Sequence, residues 1–255
     1  MKTMSTVINK NQLQELRLYG ILSNIDDVVT SATKEKWSYT EMLGRLIQCE
    51  YDYQDLASTE RRIKAAHFPK GASLENYDFA AKRSVTKPQI LELANLKWIE
   101  TGRPLLFIGQ TGFGKSFIAE ALGRHACRNK KTALFKDFTA LTEMMNQAHA
   151  LGNYLRLREK LSRPDVLIID DFGMRKVSSV EAQDLKEILE VRSLGKSTII
   201  TTQLPLNHWS EVIADSVILD AILDLVEHSS IKIECKGESY RKVKAKKLDR
   251  SAGQE

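Results

Sequence analysis

Apolar residues recur at helical intervals along the start of the chain. Leu13, Leu16, Tyr19 and Leu22 stand three apart, the spacing of one helix face. After Ser38, a residue able to cap a helix start, Met42, Leu43, Leu46 and Ile47 form a second stripe, so residues 11–66 read as helical throughout. Pro69, Gly71 and the mixed stretch after them break the periodicity and mark a linker over 69–88. From Gln89 the pattern changes. "QILELANLKWIETG" reads as an amphipathic helix ending at Gly102, and short strand-like, largely apolar runs then alternate with helical segments: "LLFI", "TALFKDF", "VLIIDD" and "STIITT". Apolar runs bounded by helices of this length predict a parallel sheet covered on both faces. The fold class is therefore α/β over residues 89–242, preceded by a small helical domain over 1–68 and followed by a basic tail over 243–255.

Composition narrows this only a little. The chain has 255 residues, 42% hydrophobic and 28% charged, which suits a globular protein with a real core. The net charge of +5 is compatible with a nucleic-acid partner without requiring one. Cys49, Cys127 and Cys235 lie far apart without a metal-ligand spacing, which argues against a zinc site or a disulfide framework and fits a reducing cytoplasm. No apolar run approaches the roughly 18 residues that span a bilayer, and the N-terminus lacks the apolar core of a signal peptide.

The chemistry is concentrated in "GQTGFGKS", Gly109–Gln110–Thr111–Gly112–Phe113–Gly114–Lys115–Ser116, directly after the run "LLFI". This spacing is that of a phosphate-binding loop between a strand and a helix. Main-chain amides and the helix N-terminus would close on the phosphates of ATP, Lys115 would supply a point charge, and Ser116 would offer its hydroxyl to Mg2+. "VLIIDD" adds two carboxylates at the C-terminal end of a buried strand, where α/β sheets bind ligands. Asp170 is expected in the Mg2+ shell and Asp171 beside the attacking water, although Asp171 could also serve as a helix cap. "STIITTQ" should lie beside the Asp170 strand, with Thr202 or Gln203 facing the γ-phosphate.

Together with "STIITTQLPLNHW", "DAILDLVEH" and "KGESYRK" in this order, these stretches resemble the IstB-like family, ATP-binding helper proteins of bacterial insertion sequences and AAA+ relatives of DnaA and DnaC. The resemblance implies an ATPase that assembles as a homo-oligomer on double-stranded DNA and recruits or stimulates a transposase. It implies Asp171 at a position commonly held by glutamate, Gln203 as polar sensor, and Arg192 as a residue that either reaches a neighbouring subunit or caps its own helix. Leu225 stands where relatives keep an arginine, so hydrolysis assisted by a neighbour is expected to be weak. Lys136, Arg156, Arg158 and Lys160 are candidate DNA contacts, against the alternative of a solvated helix face with Glu159 as a local partner. The tail's Lys242, Lys244, Lys246 and Lys247 could add nonspecific attraction. A helicase loader of the DnaC type, a small-molecule kinase and a copy impaired in hydrolysis are the competing readings.

Overall fold

The computed structural model describes residues 10–77, 84–227 and 229–236. It divides into two compact units, one ending at Arg61 and the other beginning at Arg62.

The first unit is helical: α1 (Lys10–Glu15), α2 (Tyr19–Glu35) and α3 (Tyr39–Ala65), whose last turn belongs to the second unit. The expected first helix is broken. Arg17 adopts a left-handed φ of 59°, and Leu16 is left exposed between α1 and α2. Ser38 and Glu41 form a reciprocal cap at the start of α3, as the sequence led us to expect. Of the second stripe, Met42 and Leu46 pack with Ile21, Ile25 and Val28, while Leu43 and Ile47 are exposed. Glu50 performs a cap that sequence spacing hides. Buried on α3, it accepts the Gly20 and Ile21 N–H groups at 2.8 and 3.1 Å, at the bare N-terminus of α2.

The second unit is a five-stranded parallel sheet in the order β2-β3-β4-β1-β5: β1 (Leu105–Ile108), β2 (Ala133–Asp137), β3 (Val166–Phe172), β4 (Ser197–Thr202) and β5 (Ile231–Glu234). Around it run α4 (Lys87–Ala94), α5 (Lys97–Glu100), α6 (Lys115–Arg128), α7 (Phe138–Ala150), α8 (Tyr154–Ser162), α9 (Ser179–Ser193) and α10 (Ser216–Glu227). The amphipathic segment expected to end at Gly102 is two short helices, separated at Leu96 by a φ of 60°. Each face of the sheet carries its own core. Ile118 and Leu122 of α6 cover Phe107 and Ile168 on one side, and Leu141, Leu185 and Ile222 cover Leu106, Leu167 and Ile200 on the other. Strands buried on both sides need not alternate, which is why β1 and the start of β3 are continuous apolar runs.

The segment expected as a linker contributes to this unit. Ala72, Tyr77 and Val85 are buried, and Phe68, just before the segment, packs edge-on against Phe135. Ser84 donates to the Glu234 carbonyl at 2.5 Å and accepts the Lys236 N–H at 2.7 Å, tying the chain before α4 to the end of β5. Among the described residues no helix is long and apolar enough to cross a membrane.

Candidate nucleotide site

The parallel sheet brings the C-terminal ends of β1, β3 and β4 together, with β4 between the other two. The glycine loop leaves β1 there. Gly109 has a φ of 156°, and a Cβ on it would lie 2.1 Å from the Cys235 carbonyl oxygen, so only glycine fits. Gly114 caps α6 in a left-handed conformation with a φ of 88°. Gln110 and Thr111 are exposed, while Phe113 anchors the loop against the core. Lys115 is buried to 4% exposure, and its Nζ donates to the Gly109 and Gln110 carbonyls at 2.6 and 3.0 Å, inside the loop. Burial pushes its pKa down, while Asp171, Cys235 and Asp170 oppose the shift.

Asp170 is 8% exposed and its carboxylate meets two hydroxyls. Thr201 Oγ1 donates to Oδ1 at 2.5 Å, and the Ser116 hydroxyl lies near enough to the same carboxylate to favour its charged form. Burial raises the Asp170 pKa, the two hydroxyls lower it, and the nearby Asp171 and Asp137 charges raise it again, with a net upward shift. Asp137 pairs in register with Asp170 across β2 and β3, and its carboxylate caps α7 through the Thr139 and Ala140 N–H groups. A hydroxyl beside a buried carboxylate, crowded by like charge, is a hard-oxygen donor set suited to Mg2+, and a divalent cation would relieve that crowding. Ser116 and Asp170 are thus brought together as the sequence led us to expect.

Asp171 follows on a β-bulge, in left-handed backbone with a φ of 53°. Of the two sensor candidates, Thr202 is turned inward: fully buried, its hydroxyl donates to the Phe172 carbonyl at 2.9 Å and accepts the Leu204 N–H at 3.1 Å. Gln203 sits just beyond β4, with Nε2 3.4 Å from the Met174 sulfur in the loop that follows Asp171. The β4 side chain that does reach this pair is Thr201, through the Asp170 carboxylate and the Asp171 backbone N–H, and nothing in its spacing marks it out.

Arg192 lies elsewhere. It is 1% exposed near the N-terminal ends of β3 and β4, the end of the sheet opposite the glycine loop. Its guanidinium donates to the Leu161, Ser162 and Pro164 carbonyls at 3.1, 3.2 and 2.9 Å, to Thr198 Oγ1 at 3.0 Å, and to the Ser197 carbonyl. Desolvation lowers its pKa to about 9, against the pull of Asp165, which leaves it charged at neutral pH. A side chain enclosed in this way cannot extend to a neighbour's nucleotide, and the caps it makes are on α8 rather than on its own helix. Leu225 is half-buried on α10 against the core of the same face as Leu189 and borders a 130 Å³ cavity with Pro104 and Thr198, also at the end of the sheet away from the loop.

The basic candidates separate. Arg158 is committed to Glu187 at 2.8 Å, not to Glu159. Arg156 and Lys160 are exposed along a 250 Å³ groove lined by Met144, Leu151 and Leu157. Lys136 on β2 is half-buried; burial first, then the charge of Lys160, lowers its pKa, so these two ammonium groups share one neighbourhood. Of "KGESYRK", only Lys236 is a described residue; the four tail lysines lie outside them.

Comparison with known proteins agrees with this geometry. The IstB-like ATP binding protein family matches residues 11–248. An insertion-sequence ATP-binding protein of Sinorhizobium fredii is 32% identical over 93% of this chain and 97% of its own length. The IS1162 ATP-binding protein of Pseudomonas fluorescens is 35% identical over 79% of this chain and 88% of its own. Among solved structures, the replication initiator DnaA bound to AMPPCP and single-stranded DNA superposes with a TM-score of 0.58 at 16% identity, covering 72% of this chain and 56% of that one. The DnaC helicase loader superposes with a TM-score of 0.52 at 21% identity, covering 65% of this chain and 97% of that one. With a parallel sheet, a glycine loop and paired carboxylates of AAA+ form, and a family match over nearly its whole length, the chain belongs to the IstB-like ATP-binding proteins of insertion sequences.

Proposed function

We propose that this protein is an ATP-dependent helper of transposition that assembles as a homo-oligomer on duplex DNA and there recruits or stimulates its transposase. The observation that carries the reading is the convergence of Lys115, Ser116, Asp170 and Asp171 at the C-terminal ends of β1 and β3, in a chain of the insertion-sequence family. Main-chain amides from Gly109 to Ser116 and the Lys115 ammonium bind the phosphates. Ser116 and Asp170 hold Mg2+, which when bound neutralises charge on the phosphate oxygens. Asp171 accepts a hydrogen bond from the attacking water and orients it. Gln203, tethered to Met174 beside Asp171, reads the γ-phosphate. Arg156 and Lys160 on α8, with Lys136 close to Lys160, form the surface that meets DNA phosphates; Arg158, engaged by Glu187, supports that helix.

The test is sedimentation of the purified protein with duplex DNA, with and without ATP–Mg2+, beside Lys115→Ala. Large complexes that require ATP and vanish in the variant are the expected result. A protein that stays monomeric and binds DNA regardless of ATP would exclude assembly and favour a helicase-loader role. Leu225 motivates a second reading on the same fold, a copy that binds ATP but turns it over slowly. An unchanged DNA-stimulated rate in Leu225→Arg would count against position 225 as the cause.

A further inference from the structure

Opposite the bulge on β3 stands a single residue of β4. Ile169 pairs with Ile200 and Phe172 with Thr202, so Asp170 and Asp171 together face Thr201 alone. A two-against-one bulge takes the extra residue's amide out of the ladder and bends the strand. Here the side chain of the opposing residue supplies the missing acceptor: the Asp171 N–H donates to Thr201 Oγ1 at 2.9 Å. The same oxygen donates its proton to Asp170 Oδ1 at 2.5 Å. Thr201 is fully buried, so no water competes for either bond. One hydroxyl therefore orients the carboxylate that also meets Ser116 and secures the left-handed backbone on which Asp171 is presented.

We propose that Thr201 is a positioning residue of the nucleotide site: its hydroxyl locks the bulge that sets Asp170 and Asp171 relative to one another, and so tunes the Mg2+-dependent part of nucleotide affinity. Valine has the same shape but neither donor nor acceptor, and it would leave the Asp171 amide unpaired and the Asp170 carboxylate free to rotate. Serine keeps both bonds. The role is distinct from that of Gln203, which lies beyond the strand and bonds to Met174.

This inference rests on the nucleotide reading, and the experiment separates the two. Affinity for a fluorescent ATP analogue is measured with Mg2+ and with EDTA for the unaltered protein, Thr201→Val and Thr201→Ser, beside urea unfolding of each. No Mg2+ enhancement in the unaltered protein would defeat the nucleotide reading itself. Given that enhancement, Thr201→Val is expected to lose about tenfold of it while affinity in EDTA holds, the size of effect seen when a partner of a metal ligand is removed. Thr201→Ser is expected to restore it. An unchanged Mg2+ response in Thr201→Val would overturn the inference. If the valine variant does not fold, the serine variant decides: loss of the Mg2+ response despite a retained hydroxyl overturns the inference, and a normal response supports it.

Discussion

Replacing Arg192 with leucine tests whether that arginine is architecture or chemistry. The Leu161 and Ser162 carbonyls end α8, and the N–H groups four residues on are committed elsewhere: Asp165 N–H to Thr132 Oγ1 and Val166 N–H to the Thr132 carbonyl. The guanidinium is thus what these two acceptors have, and Pro164 adds a third at 2.9 Å. The Asp165 carbonyl is less exposed to the loss, because it also accepts the Ser197 N–H at 3.0 Å. Three acceptors left without partners, one buried and two part-buried, at about 1 kcal/mol each, together with the lost cation at a helix C-terminus, give a destabilisation of about 3–5 kcal/mol. Lysine would keep the charge but lose the fork, and should fall between. Urea unfolding followed by tryptophan fluorescence reads the second unit through the buried Trp98 and Trp209, with Trp37 reporting on the first. A loss below about 1 kcal/mol, with nucleotide turnover abolished in the folded variant, would refute the structural role and return Arg192 to the reaction.

Gly109→Ala must move the Cys235 carbonyl and adopt a φ that side chains avoid, at a cost of about 1–3 kcal/mol from backbone strain alone; fluorescent-nucleotide titration should show binding lost, and retained affinity would mean the loop is not held as described. Burial would raise the Glu181 pKa, but Arg175 at 2.5 Å, the Ser178 N–H and Asn146 overcome it and bring it from 4.5 to about 2. Because the folded pKa is the lower one, this stability is present above pH 4.5 and is lost as pH falls toward 2; Glu181→Gln should remove about 2–3 kcal/mol at pH 7 and flatten that acid limb in urea titrations. Removing the Arg156 and Lys160 charges should lower the slope of log affinity for DNA against log salt by about 0.9 for each phosphate no longer neutralised, whereas Arg158→Ala should leave the slope nearly unchanged. Equal slopes in all three variants would move the DNA surface away from α8.

Much of the site was legible because its spacing encodes its geometry. A glycine loop between an apolar run and a helix, and two carboxylates ending another run, dictate which strand ends must meet. The pairing of β4 with β3 was legible from the same runs, whereas the order of the other strands was not, and β5, with four residues, was too short to stand out. What escaped reading depended on tertiary neighbours without a local signature. Thr201 and Thr202 look alike in sequence, and only the bulge on β3 decides which hydroxyl faces the Asp170 carboxylate. Arg192 reads as a residue that reaches a neighbouring subunit or caps its own helix, yet α9 turns it into the protein. Glu50 reads as one more charge in a polar stretch, and its task is set by a helix start thirty positions earlier. The expected first helix failed at Arg17, where three-residue spacing continued through a left-handed turn.

The close approach of Gly109 to Cys235 also bears on how the protein is made. The floor of the glycine loop is backbone from beyond β5, and Ser84 holds that backbone from its other side. A ribosome delivers Gly109 long before Cys235, so a growing chain carries the whole phosphate-binding motif with nothing beneath it. Nucleotide capture is therefore expected only once β5 and Cys235 have emerged, and a product cut short before β5 should display the motif without holding ATP.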